Sequence, residues 1–250
     1  MRRLLWLVIG SLLPLQVCAQ GVGVPPRMLI DTPAAGVLPP AGFDFSMRAY
    51  GNGGLLVDIA VGVSTNFMFG VSYGGTNVLG NGKVNWNQNP GVSLRYQLLS
   101  ESYGVPGVTI GFDSQGYGAF IDSTKRYENK SPGFFAVASK SYDLFDRLDL
   151  HGGINFSLET EDKDRDPNVF IGATLAFNHA FEMLWEYDVA LNDNVDGSIN
   201  SGKGYLNMGG RLNVRNTVYI EFFIKDLLEN RKNIANANRE LKVTYFQFIQ

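Results

Sequence analysis

Residues 181–192 constrain the fold more than any other stretch. Phe181, Met183, Trp185, Tyr187, Val189 and Leu191 fall at every second position, with Glu182, Leu184, Glu186, Asp188, Ala190 and Asn192 between them. Side chains alternate faces along a β-strand, so this segment has one apolar face and one acidic face. It is also long. A soluble strand typically runs about 5–6 residues, whereas a tilted strand needs about 9–11 to cross a bilayer.

The same alternation recurs from residue 42 onward. It predicts about twelve strands, at 43–50, 55–63, 67–77, 91–99, 108–117, 134–142, 148–159, 168–177, 181–192, 205–214, 218–225 and 239–248. Short connections at 64–66, 104–106, 143–147, 178–180 and 215–217 alternate with longer polar ones. The first connection, Gly51-Asn52-Gly53-Gly54, breaks the alternation and suits a tight hairpin turn that needs positive φ. Outer-membrane barrels alternate short periplasmic turns with longer outer loops and usually have an even strand count. This phase puts both termini on the periplasmic side. Phe67, Tyr73, Tyr96, Tyr142, Phe181 and Tyr219 lie near predicted strand ends, where girdle residues sit. Alternation by itself also fits a soluble barrel or sandwich, with the apolar face turned inward. Strand length, loop alternation and the aromatic positions together favour the membrane. The expected fold is all-β, a single antiparallel transmembrane β-barrel of about twelve strands over residues 42–250.

The N-terminal part has a different composition. Arg2 and Arg3 precede an apolar stretch over 4–15, and Val17-Cys18-Ala19 offers a cleavage site, so residues 1–19 read as a secretory signal. Cys18 is the only cysteine of the 250 residues, and its removal with the signal would leave no thiol, disulfide or cysteine metal site. Residues 20–41 carry Pro25, Pro26, Pro33, Pro39 and Pro40. Proline lacks an N–H and fixes φ, so this is an extended segment rather than a strand or helix. A periplasmic lead-in is preferred over a plug tucked into the barrel mouth. The formal net charge of −3 gives no basic field for nucleic acid. The expected partners are outer-membrane lipid, the outer-membrane assembly machinery and a polar solute or polysaccharide.

An Arg or Lys facing the middle of a bilayer costs about 2–4 kcal/mol, so the apolar parity must face lipid and the polar parity the lumen. The candidate lumen-lining residues are Asp44, Arg48, Asp58, Arg95, Asp113, Asp149, His151, Glu182, Glu186, Asp188, Arg211, Glu221, Lys225 and Lys242, with Glu159 and Glu240 on the same parity. Such groups can line a wet pore or neutralise one another across a narrow one.

Other chemistry is weakly signalled. Asp162, Asp164 and Asp166 alternate like the start of a calcium loop, but Pro167 and Ala173 stand where its glycine and closing acid belong. Asp113-Ser114-Gln115-Gly116 resembles a serine-nucleophile turn with Phe112 in place of its first glycine. A lipid-surface hydrolase needs a paired serine and histidine, and neither His151 nor His179 is placed for that. Gly74-Gly75 and Gly80-Asn81-Gly82 lack the Lys-Ser/Thr and helix of a phosphate cradle. No catalytic residue, metal site or cofactor is expected.

Leu29-Ile30-Asp31-Thr32-Pro33-Ala34-Ala35-Gly36, Gly53-Gly54-Leu55 and Gly70-Val71-Ser72-Tyr73-Gly74-Gly75 resemble short segments of YjbH-like outer-membrane β-barrel proteins. That resemblance implies an outer-membrane barrel associated with exopolysaccharide production and brings no functional residue with it. The expected function is an outer-membrane pore or export component for polar solutes or polysaccharide. The alternatives are a non-conducting structural or assembly barrel with partner-binding loops, and a soluble binding protein.

Overall fold

The computed structural model describes residues 26–194, 199–232 and 237–249. The expected signal segment and residues 20–25 lie outside them. The strands are β1 (Gly42–Tyr50), β2 (Gly54–Gly62), β3 (Phe67–Thr76), β4 (Asn85–Trp86), β5 (Gly91–Leu99), β6 (Gly107–Asp113), β7 (Tyr117–Ile121) and β8 (Arg126–Asn129), followed by β9 (Gly133–Tyr142), β10 (Arg147–Phe156), β11 (Asn168–Asn178), β12 (Phe181–Asp188), β13 (Tyr205–Val214), β14 (Val218–Lys225) and β15 (Asn238–Phe248). Twelve of them form one antiparallel sheet in the order β1-β2-β3-β5-β6-β9-β10-β11-β12-β13-β14-β15, and β15 pairs back to β1 to close the barrel. β4 only extends the end of β3, and β7 pairs with β8 as a separate hairpin.

Local chemistry sets the turns. Asn52 and Gly53 both have φ 60° at the centre of the tight turn that joins β1 to β2, which the Gly54 N–H closes onto the Gly51 carbonyl at 3.2 Å. Arg215 and Asn216, both with φ 57°, make the same kind of turn between β13 and β14.

Parity around the wall is regular. Along β1, Asp44, Ser46 and Arg48 are buried while Phe45 and Met47 are 36% and 41% exposed. Ile59, Val71, Leu94, Ile110, Leu150, Ile171, Leu212, Phe222 and Val243 continue the exposed apolar surface on the other strands. An outside this apolar over an inside this polar is stable in lipid and costly in water, so the barrel is a transmembrane one. At its short-turn end Phe177 stacks on Phe181, with ring centroids 5.9 Å apart, and Phe145 lies tilted against Phe177 at 5.5 Å. Tyr73 stacks on Trp86 at 5.6 Å near the long-loop end. Tyr219 departs from the expected girdle. It is half-buried and packs inside against Val37, Leu38, Met68 and Phe246.

Three strands end earlier than their alternation suggests. β12 stops at Asp188 because Ala190 takes a left-handed conformation, φ 54°, and the chain turns through Leu191–Asp193. β6 stops at Asp113, and Tyr117 instead begins the β7–β8 hairpin within a stretch expected to be loop. β10 stops at Phe156, leaving Glu159 in the loop that follows.

The lead-in is the larger correction. From 26 to 38 the chain lies inside the barrel, with Leu29, Ile30, Ala34, Ala35, Val37 and Leu38 all buried. Prolines kept this stretch out of the sheet, as expected. Its unpaired backbone groups and apolar side chains found partners on the inner wall.

Candidate functional site

Residues 26–38 form a plug shaped as an open hairpin. The Leu29 N–H bonds the Thr32 carbonyl at 3.0 Å, Ala34 N–H bonds Arg27 O at 2.9 Å, and Gly36 N–H bonds Pro26 O at 3.1 Å. Both legs therefore stand side by side, and the turn at 29–32 is the tip. The base meets the short-turn end, where Leu38 N–H contacts Met68 Sδ at the start of β3. The tip reaches Arg48 and Glu186, towards the long-loop end of β1 and β12.

Backbone groups buried in the turn need partners, and the wall provides them. Glu186 accepts the N–H groups of Ile30, Asp31 and Thr32, each at 3.0 Å, and the Thr32 hydroxyl at 2.8 Å. Asn207 donates to the same carboxylate at 2.7 Å. Arg95 donates to the carbonyls of Arg27 and Ala34 at 2.5 and 3.1 Å. Thr109 donates to Ala35 O at 2.5 Å, and Ala35 N–H donates to Ser139 Oγ at 2.9 Å.

Asp31 carries the charge of the tip. Its carboxylate lies 2.7 Å from Arg48 and 2.6 Å from Lys225, both of which also pair with Glu240 at 2.5 and 3.2 Å. Burial works to raise the Asp31 carboxyl, but Lys225 and Arg48 overcome it and hold it below the ordinary carboxylate range. Apolar contacts complete the docking. Ile30 packs with Leu184 and Phe223, Ala35 with Phe135, Val137 and Phe170, and Val37 and Leu38 with Ala60, Met68 and Phe246.

Three of these inward aromatics are cross-strand partners of glycines: Phe135 of Gly111, Phe170 of Gly153, and Phe223 of Gly209. A Cβ on each glycine would stand 2.4 to 2.7 Å from the ring. The missing side chains are what let large rings fold flat on the wall and leave room for the plug.

Below the tip, one register row carries a belt of charge. Glu182 is the cross-strand partner of Arg211, Arg211 of Glu221, Glu221 of Lys242, and Lys242 of Arg48. Ion pairs run along it at 3.0 Å (Arg211–Glu182), 2.8 Å (Arg211–Glu221) and 3.3 Å (Lys242–Glu221), and Arg147 joins Glu182 at 3.5 Å and Asp149 at 2.9 Å. Asp44 pairs with Arg27 of the plug. Asp58 and Asp113 line a cavity of about 70 Å³ with Arg27, Arg95 and Tyr117. Asp113 accepts the Gln115 N–H at 2.9 Å. A second cavity of about 80 Å³ is bounded by Arg27, Asp44, Arg211, Glu221 and Lys242. Asp188 sits apart from the belt, accepting from Asn168 at 2.6 Å and from Ala190 N–H at 2.9 Å.

The long-loop end is covered as well. The β7–β8 hairpin places the Tyr117 ring 4.3 Å from the Arg48 guanidinium, and Asn129 donates to Asp31 at 2.9 Å. Arg126 binds Asp193 at 2.5 Å and Asp162 at 2.8 Å, and Lys130 also reaches Asp162, at 2.7 Å. Arg231 bonds Glu128 at 3.0 Å and Asn129 at 2.9 Å. Three other long loops are thus tied to this one hairpin. Asp162 and Asp164 serve these ties and accept the N–H groups of Asp164 and Asn194 respectively, and no cluster suited to a metal ion occurs among the described residues.

His151 does meet a serine. Its Nδ1 lies 2.7 Å from Ser139 Oγ, beneath the plug rather than at the lipid surface, and its Nε2 is buried without a hydrogen-bond partner. His179 is exposed in its turn, 3.4 Å from Asp146. The pairing comes from their places on adjacent strands, where Ser139 is the partner of His151.

The plug itself, Tyr117 and Asn129 in the hairpin, and the inward Met68, Phe135, Phe170, Leu184, Phe223 and Phe246 were absent from the expected lumen set. A signal existed for some of them. Leu184 lies between Glu182 and Glu186, and Phe223 between Glu221 and Lys225, so each is an apolar residue on a polar parity.

No protein-family model matches the chain, and no curated protein matches it. Among solved structures it is similar to a KdgM porin in complex with disordered oligogalacturonate, with a TM-score of 0.51 at 9% identity over 83% of this chain and 99% of that one. A second KdgM porin structure gives a TM-score of 0.49 at 10% identity, over 83% and 99% of the two chains. A NanC porin gives 0.43 at 12%, over 83% and 100%. At such identities the likeness to the first is one of fold.

Proposed function

We propose that this chain is an outer-membrane pore for a polar solute or polysaccharide, closed at rest by its own residues 26–38. One observation carries the reading. Pro26 lies beside Gly36, so the plug enters and leaves by the same mouth and can withdraw without threading the chain through the barrel. Withdrawal would bare a lumen whose wall alternates acid and base along the row from Glu182 to Lys242 and ends on Arg48, a surface suited to a hydrated solute. The porin fold supports the class of function. Oligogalacturonate is named with one such porin, which favours a saccharide as cargo, and the motif resemblance to YjbH-like proteins adds polysaccharide export. The apolar exterior supports outer-membrane lipid as the surroundings and the outer-membrane assembly machinery as the route of insertion. Nothing in this reading requires catalysis.

The second reading is a barrel that never conducts and works through its loops. The buried ion pairs that tie Arg126 and Arg231 into those loops favour it. Liposome swelling separates the two. Vesicles holding a chain without residues 26–38 should swell in neutral and acidic oligosaccharides faster than vesicles holding the full chain. A folded, deleted barrel that admits neither sugar would support the non-conducting reading.

A further inference from the structure

The plug and the cover over the long-loop end meet at one side chain. Asp31 binds Arg48 and Lys225 of the wall through its carboxylate and accepts from Asn129 of the β7–β8 hairpin through the same group. The Tyr117 ring lies against both cations, 4.3 Å from Arg48 and 5.4 Å from Lys225. Withdrawal of the plug strips Asp31 from those two cations and four donors from Glu186. Arg48 and Lys225 keep Glu240, and Glu186 keeps Asn207, but each loses a charged or hydrogen-bonded partner, which is costly at a buried site. With the hairpin seated, Asn129 holds Asp31 from the long-loop side and Tyr117 covers the two cations that Asp31 binds, so the tip cannot leave without also breaking its bond to the hairpin.

We infer that the β7–β8 hairpin is a lock on the plug, and that it lifts from Asp31 before residues 26–38 can withdraw. This rests on the closed-pore reading and adds its regulation. The hairpin is anchored by Arg231 through Glu128 and Asn129, and by Asp162 and Asp193 through Arg126, so the Arg231 loop reaches Asp31 through Asn129 and the other two loops act on the hairpin backbone that carries Asn129. Opening would then be set from the long-loop face, although the plug leaves by the opposite mouth.

The test uses the full chain with Cys18→Ser and a reporter, Leu29→Cys, in liposomes. A membrane-impermeant maleimide reads how often the tip is exposed. Lid variants Asn129→Ala and Arg231→Ala should raise the labelling rate about tenfold, the factor that corresponds to roughly 1.4 kcal/mol. Asp31→Asn, which loosens the tip directly, should raise it as well. Arg231→Ala touches the hairpin and Tyr205 at the outer end of β13 but not the plug, so it stays informative if a change nearer Asp31 disturbs folding, which heat-dependent gel mobility reports. If Asp31→Asn raises labelling and the lid variants leave it at the parent rate, the wall alone holds the plug and the lock is refuted. If none of the three raises it, Asp31 is not the joint and the inference fails too. The readout is accessibility rather than transport, so a lock can be found in a barrel that never swells, and its absence leaves the pore reading untouched.

Discussion

Glu186 accepts both the backbone N–H and the hydroxyl of Thr32, at 3.0 and 2.8 Å. A wall carboxylate thereby grips the turn of the plug through groups that belong to the backbone as much as to any side chain. Hydrogen bonds to a charged group contribute about 1.5–3 kcal/mol, twice or more the value of neutral ones. Glu186→Gln is expected to weaken plug docking by about 1–3 kcal/mol while leaving the barrel intact. Limited trypsin digestion should show earlier cleavage near Arg27 in the variant, at unchanged heat-dependent mobility of the barrel.

Acid should loosen the same tip through Asp31. Its folded pKa lies below the ordinary value, so between the two values the undocked state binds more protons and docking strengthens with rising pH. The contribution is complete above the free value of about 3.9 and is lost as pH falls through the lower docked value. Pepsin cleavage of the plug should therefore rise below about pH 4, and Asp31→Asn should flatten that part of the profile. A profile identical in both proteins would assign the acid response to other groups.

Gly153 makes room for Phe170. A Cβ there would stand 2.4 Å from the Phe170 ring and 2.6 Å from the Ala136 carbonyl oxygen. Gly153→Ala should cost about 1–3 kcal/mol as an overpacked site. Gly152 is the built-in control, because its Cβ would meet nothing nearer than 3.9 Å. Urea denaturation midpoints in lipid or detergent should fall for Gly153→Ala and stay close to the parent for Gly152→Ala.

Ile59 sits mid-strand on β2, 48% exposed on the outer face. Ile59→Arg should destabilise the barrel in bilayers by about 2–4 kcal/mol, as an arginine at mid-bilayer depth does. Reversible folding into vesicles would show no such loss if this face were turned to water.

The wall was legible because a period of two leaves little freedom. Glu221 and Lys225 cannot face lipid, and that alone fixes Ile220, Phe222 and Ile224 on the other side. The plug was not legible for an equally physical reason. Pro26, Pro33, Pro39 and Pro40 excluded strand and helix but carried no periodicity, so they gave no direction to the segment. Its partners are single side chains far away in the sequence, such as Glu186 and Arg95, and only the closed barrel brings them together. The β7–β8 hairpin was hidden in the same way. Arg126 and Asn129 look like ordinary polar loop residues until Asp193 and Asp31 stand opposite them.

Single-channel current across a planar bilayer is the most direct measurement of a pore closed by its own N-terminal segment. The full chain should show little current at low voltage. A folded chain without residues 26–38 should give a stable, ion-selective conductance, and its selectivity should shift when Arg95 or Glu186 is neutralised. Silence from that deleted barrel across salt and voltage, with its folding established by heat-dependent mobility, would contradict the account.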